Sequence, residues 1–299
     1  VAVKESVRWV EGYEIVADLA EQTPETRLVY VADREGDLRA LMDASARRGH
    51  PADWLVRATH NRNTAAGEKV WHRVEQTQAL GEVEFTLPAT PGRPARPVRQ
   101  TLYRDTVTLP ARKGAPAVTV TAILAREERP PAGEQAIVWR LSTNRPAETL
   151  ETVVELIDWY RRRWLVEIFF RILKSGCRVE SLQLGTLERL ERALVIYLII
   201  AWRILHRVTW GRERPNLSCE VVFDPEEWQA AWIVARRTKP PDTPPPLGHM
   251  TRLIAGFGGF LGRKGDGPPG PKAIWEGMQK VYAFALGIAA AKQAFIPSG

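Results

Sequence analysis

The run Arg27-Leu28-Val29-Tyr30-Val31-Ala32 stops abruptly at Asp33-Arg34-Glu35-Gly36-Asp37, and this junction constrains the fold more than any other stretch of the chain. A short apolar run bounded by turn residues predicts a buried strand. A helix is predicted next, from Leu38 to Arg48, with Asp37 as its cap and Gly49-His50-Pro51 as its stop. A second buried strand is predicted over Asp53 to His60, through Trp54-Leu55-Val56-Arg57-Ala58-Thr59. Strand, helix and strand at this spacing indicate an α/β unit. Asp33 falls just past the end of the first strand, where α/β sheets place their ligands. Ahead of that strand, Ser6 to Ala20 reads as a helix with Trp9, Tyr13, Val16 and Ala20 close to one face.

From Lys69 to Thr143 the pattern changes to short alternating segments: Val70–Val74, Glu82–Phe85, Val98–Leu109, Val118–Leu124 and Ala136–Leu141. Turns rich in Pro and Gly separate them, most densely over Pro88–Pro97, so an antiparallel β insertion is expected. A long helix is predicted from Glu148 to about Ser175, interrupted at Gly176, with further helix from Leu187 to about His206. The proline-dense segment Lys239–Gly248 predicts a semi-rigid extended linker. Thr251–Phe260 and Ala273–Ala294 then read as two helices around a Gly/Pro loop.

Composition narrows the function. At 44% hydrophobic and 26% charged residues the chain is of ordinary globular type. Its longest apolar run, Ala193–Trp202, is too short to span a bilayer, and no leader sequence is read at its start. Cys177 and Cys219, with five histidines, give neither a disulfide framework nor a zinc spacing, which predicts two free buried thiols. The net charge of +7 rests mainly on arginine, whose planar fork suits phosphate.

The most informative segment is Tyr160-Arg161-Arg162-Arg163-Trp164-Leu165-Val166-Glu167, followed by Arg171 and Lys174. On one continuous helix Tyr160, Arg163, Glu167, Arg171 and Lys174 fall within an arc of about 80°, about 21 Å from end to end. Ile157, Leu165, Ile168, Phe169 and Ile172 occupy much of the opposite side. The pairs Arg163–Glu167 and Glu167–Arg171 also suit an ordinary solvated helix face. Cations outnumber acids on the stripe, however, and repel one another unless a polyanion lies along it. A central carboxylate among phosphate-binding groups is what metal-assisted phosphodiester chemistry needs.

Three separated stretches resemble the cut-and-paste bacterial DDE transposases of the insertion-sequence-four family, of the Tn-five type. Lys4-Glu5-Ser6-Val7-Arg8-Trp9 with Val31–Asp37 resembles the block around that family's second catalytic aspartate. Tyr160, Arg163, Glu167 and Lys174 fit its Tyr-Arg-Glu-Lys signature at every spacing. Gly258-Gly259-Phe260 with Ala273-Ile274-Trp275-Glu276-Gly277 resembles the region through which it dimerises.

The resemblance implies an α/β fold: an RNase H-like core with an antiparallel β insertion and a helical C-terminal region. The organisation expected is a partial core over residues 1–66, the insertion over 67–143, and the glutamate helix with its followers over 144–238. A Pro-rich linker over 239–250 and a dimerisation region over 251–299 complete it. Asp33 and Glu167 carry over as catalytic ligands for Mg²⁺ or Mn²⁺. Tyr160, Arg163 and Lys174 carry over as contacts to transposon-end DNA, and Trp139 as a residue used around a base flipped from the duplex. Arg57, Arg62 and Arg171 are expected to face DNA in the same picture. The implied partners are double-stranded DNA, at transposon ends and target, and a second copy of the chain, in a bacterial cytoplasm at the nucleoid.

One departure matters. The family has three catalytic carboxylates, the first on a strand well upstream of the second, whereas residues 1–32 read as one helix and one strand. Their only aspartate, Asp18, sits in the helix. The first aspartate, the opening hairpin of the core and the N-terminal DNA-recognition domain are therefore expected to be absent, in keeping with the opening Val1-Ala2-Val3. A parent that hydrolyses phosphodiesters and transfers strands is expected, with this chain inactive alone. The alternative is a truncated protein that pairs with the full enzyme and inhibits it, or a degenerate remnant.

Overall fold

The computed structural model describes residues 5–87, 94–112 and 114–295. Lys4 and most of the turn-rich Pro88–Pro97 segment lie outside them. The chain divides into two compact units, Val1–Arg163 and Trp164–Gly299.

In the first unit α1 (Glu5–Gln22), β1 (Val29–Ala32), α2 (Arg39–Arg47) and β2 (Asp53–Arg57) form where the apolar runs predict them. β1 and β2 are parallel, with Val29 opposite Asp53 and Ala32 opposite Val56. After them come α3 (Val70–Glu75), β3 (Gly81–Leu87), β4 (Arg96–Leu109), β5 (Val118–Glu127), β6 (Val138–Thr143) and α4 (Leu150–Arg162). The Val70–Val74 segment, expected as a strand, is the helix α3. Its buried residues are Val70, Trp71 and Val74, the i, i+1, i+4 spacing of a helix seam rather than the alternation of a strand.

The strands of the expected insertion join the sheet of the core. β6 pairs antiparallel with β2, Leu55 opposite Thr143, giving one six-stranded sheet in the order β1-β2-β6-β5-β4-β3. Strand alternation gives this sheet two apolar faces. Tyr13 and Ala17 of α1, Leu41 and Met42 of α2, and Trp71 and Val74 of α3 pack on Trp54, Val56, Val107 and Leu124. Val153, Leu156 and Ile157 of α4 pack on Leu55, Leu102, Ile123 and Leu141 across the other face.

The sheet is strongly curled on the α4 side. One row of the ladder runs Trp139, Ala125, Leu102, Gly81, and Phe85 lies further along the edge strand β3. In a flat sheet Phe85 would stand about 14 Å across and about 13 Å along from Trp139. The two ring centroids are instead 5.3 Å apart, so the β3–β4 arm folds back over this face. The small row residues Ala125 and Gly81 leave room for the bend. A Cβ on Gly81 would lie 2.7 Å from the Leu150 methyls at the start of α4.

The second unit is helical: α5 (Trp164–Arg171), α6 (Leu187–Glu213), α7 (Pro225–Arg236), α8 (Leu247–Phe257) and α9 (Pro271–Phe295). The single helix expected from Glu148 to Ser175 is therefore divided. The Arg163 N–H tightens onto the Tyr160 carbonyl three residues back, at 3.1 Å, and α4 ends. Beyond α5 the turn widens over Ile172–Gly176, and the Cys177 N–H reaches the Ile172 carbonyl five residues back, at 2.9 Å. Lys174 lies on that widened turn. α6 continues past its expected end at His206, and by length and apolar composition it could cross a membrane. Within it, however, Arg207 is buried against Glu227 of α7 at 2.7 Å, and Ala201, Ile204 and Val208 join the core.

The proline segment is strapped onto this unit. The N–H groups of Cys219 and Gly248 donate to the carbonyls of Pro245 and Pro215 at 3.0 and 2.8 Å. Both cysteines are free and buried, as expected; burial, with the Glu220 charge adding to it, pushes the Cys219 thiol up to about 12.

α8 and α9 meet backbone to backbone. A Cβ on Gly258 would stand 1.9 Å from the Ala273 carbonyl oxygen, and one on Gly277 would stand 2.0 Å from that of Ile254. Neither backbone neighbour can rotate away, so Gly277→Ala should destabilise the protein by about 1–3 kcal/mol or more in urea unfolding. Gly287→Ala on the same helix, where a Cβ meets nothing within 4 Å, should be neutral or slightly stabilising. Equal effects of the two substitutions would contradict the close-packing account.

Candidate metal and nucleic-acid site

The site is built first from the loop that follows β1. Asp33 leaves the strand in extended conformation (φ −83°, ψ −156°), and its Oδ1 accepts the Glu35 N–H at 3.0 Å. It is half-buried, and among the described residues it enters no ion pair. Its charge adds to burial in pushing the Tyr30 phenol up. Gly36 is required for this turn, since a Cβ there would lie 2.4 Å from the Ala32 Cβ. Glu35 is exposed, as expected.

Asp37 does something other than cap α2, whose cap position is Leu38 with no side-chain bond. Its fully buried carboxylate accepts the N–H groups of Thr59 and His60, at 2.7 and 2.8 Å, and pairs with the Arg62 guanidinium. Arg62 also donates to the Asp37 carbonyl at 2.7 Å. The amides just past β2 thus capture the side chain expected on the helix, and the Asp33 loop is clamped at its far end. Arg62 is committed to this clamp.

Across the sheet, Arg57 at the end of β2 stands opposite Leu141, on the face that carries Trp139, and donates to the Val138 carbonyl at 3.4 Å. Trp139 stacks on Phe85, with ring planes 16° apart, and meets the Tyr160 ring edge-on at 5.9 Å. Tyr160 is only 6% exposed, so the stripe residue expected at the surface forms part of the α4 core. The guanidinium carbons of Arg161 and Arg163 lie 4.6 Å from the Phe85 centre and 5.9 Å from the Tyr160 centre.

The rest of the stripe belongs to the second unit. Glu167 is half-buried on α5, and Arg171 is exposed beside a groove lined by Ile168, Leu205, Arg212 and Trp275. Lys174 is exposed, with Glu180 at 3.5 Å. Tyr160 and Arg163 therefore fall in one unit, and Glu167, Arg171 and Lys174 in the other. Among the described residues no three Asp, Glu, His or Cys side chains gather as a ready-made metal cage.

Sequence reasoning passed over the clamp formed by Asp37 and the contacts that Phe85 makes with Trp139 and Arg161. No local signal pairs Asp37, ahead of α2, with Arg62, which follows β2. Phe85 had none, because its contact depends on the curl of the sheet.

Two family models match the chain. The Transposase DDE domain model matches residues 11–203, well over half of the chain, and the Transposase Tn5 dimerisation domain model matches residues 199–296. The first match takes in Asp33, the sheet, α4, α5 and Glu167, and the second takes in α7, α8 and the glycine-packed α9. The chain belongs to the DDE transposase family and acts in DNA transposition.

Proposed function

We propose that this chain serves cut-and-paste transposition of the insertion-sequence-four type, binding double-stranded DNA at transposon ends and target as a homodimer on an RNase H-like scaffold. Asp33 and Glu167 are the carboxylates that hold Mg²⁺ or Mn²⁺. The observation that carries this reading is the contrast between Asp33 and Asp37 on one loop. Asp37 is spent on two amides and a guanidinium, whereas Asp33 keeps an oxygen without a hydrogen-bond or ion-pair partner among the described residues. A half-buried carboxylate, rigidly presented at the carboxyl end of a sheet strand, suits a hard cation.

The donor set fits magnesium, which is commonly bound by one or two carboxylates completed by waters and substrate phosphates. When bound, the ion would polarise the scissile phosphate and activate the attacking oxygen. The chain's own groups do the positioning. Arg163, Arg171 and Lys174 take phosphates, Arg57 approaches the strand from β2, and Trp139, backed by the buried Tyr160, receives a base. Arg62 works at one remove by fixing the loop that carries Asp33.

By itself this chain binds DNA without cutting it. Asp18, the aspartate nearest before Asp33, lies on α1 and is already paired with Arg48 at 2.7 Å.

Titration with duplex DNA across a salt series tests the DNA assignment. Arg163→Ala and Lys174→Ala should each weaken binding and lower the salt slope by about 1; an unchanged slope would make these cations ordinary surface residues. A nuclease assay tests the second point. The chain should leave transposon-end duplex intact in Mg²⁺, and cleavage that needs Mg²⁺ and vanishes in Glu167→Ala would show that another residue supplies the missing ligand.

A further inference from the structure

The curl of the sheet carries an edge-strand phenylalanine onto the tryptophan of β6, although the two are three strands apart. A lone half-exposed tryptophan on a strand can turn about both side-chain torsions. Here Phe85 lies nearly parallel to the indole, at 16°, and Tyr160 meets it at 64°, so two neighbours in different planes fix its orientation. Phe85 is itself held. Arg161 places its guanidinium 4.6 Å from the Phe85 centre while pairing with Asp158 at 2.9 Å, one turn back on α4. A core cluster would be closed off, but Phe85 and Trp139 are half-buried and Arg161 is exposed. Half-open aromatic faces flanked by guanidinium groups are the chemistry that receives unpaired nucleobases.

We propose that Phe85 and Arg161 are positioning residues for Trp139: Phe85 holds the indole in the plane that stacks on an unpaired DNA base, and Arg161 locks Phe85. This rests on the reading of Trp139 as a base-receiving residue. Fixing the ring before the base arrives removes part of the ordering cost of binding, so the effect should appear as affinity for unpaired bases and not for duplex. The inward fold of the β3–β4 arm then has a consequence for recognition, since it sets the pose of a residue three strands away.

The test is a fluorescence titration of the 299-residue chain with two DNA duplexes of one sequence, one carrying a single unpaired 2-aminopurine and one fully paired. Wild type should quench the unpaired probe and bind it more tightly than the paired duplex. Trp139→Ala should abolish that preference. Phe85→Leu, which keeps apolar volume but removes the ring, should weaken binding to the unpaired probe about tenfold, with Phe85→Tyr within about twofold of wild type, and the two Phe85 variants should bind the paired duplex alike. Arg161→Gln, at an exposed position, should give a smaller loss of the same kind. Thermal unfolding of each variant checks that the fold is kept. If Trp139→Ala loses the preference while Phe85→Leu and Arg161→Gln keep it, the positioning role is overturned and the reading of Trp139 stands. If Trp139→Ala changes nothing, both are overturned.

Discussion

The fully buried carboxylate of Asp37 holds together the part of the molecule on which everything else depends. It ties the end of the β1 loop to the amides of Thr59 and His60 and to Arg62, so the chain leaving β1 and the chain leaving β2 are fastened at one point. Charge-assisted bonds to a buried carboxylate are among the stronger polar interactions, and removing one partner leaves the rest unsatisfied. Because Asp33 lies between the strand and this anchor, with Gly36 allowing the tight return, its carboxylate is presented by rigid structure at both ends. The half-buried Asp33 and the fully buried Asp37 of this loop are thus distinguished by their partners rather than by residue type.

The second constraint is the single sheet. Had the β3–β6 strands formed a separate layer, Trp139 and Phe85 would have had no common face with α4. Their continuity with β2, together with the curl permitted by Gly81 and Ala125, brings Tyr160, Trp139 and Phe85 into one aromatic group. In the helical unit the corresponding device is the pair Gly258 and Gly277, which lets α8 and α9 approach at backbone distance. The buried Arg207–Glu227 pair fastens α6 to α7.

Much of this was legible in the sequence where the signal is local. The strands β1 and β2 announce themselves by apolar runs that end at turn residues, and Asp33 follows from that boundary. The spacing of Tyr160, Arg163, Glu167 and Lys174 is likewise a local pattern. What failed was non-local or too short to read. Val70-Trp71-Val74 carries β-branched and aromatic residues of strand type, yet tertiary burial selects a helical seam. The break after Arg162 has no Gly or Pro to mark it, so the stripe drawn on one helix is shared between two units. Asp37 has the sequence position of a helix cap, and only the return of β2 beside it reveals a different use. Phe85 sits in an unremarkable alternating strand, and its neighbour is set by sheet curvature.

Asp33 and Glu167 are proposed to serve one metal ion. A double-mutant cycle on Mn²⁺ binding, followed by electron paramagnetic resonance in the presence of duplex DNA, tests it most directly. If both carboxylates hold the same ion, Asp33→Asn and Glu167→Gln should each lower Mn²⁺ affinity, and the double variant should lose clearly less than the product of the two single losses. Independent effects that multiply, or single variants that bind Mn²⁺ as wild type does, would contradict the account.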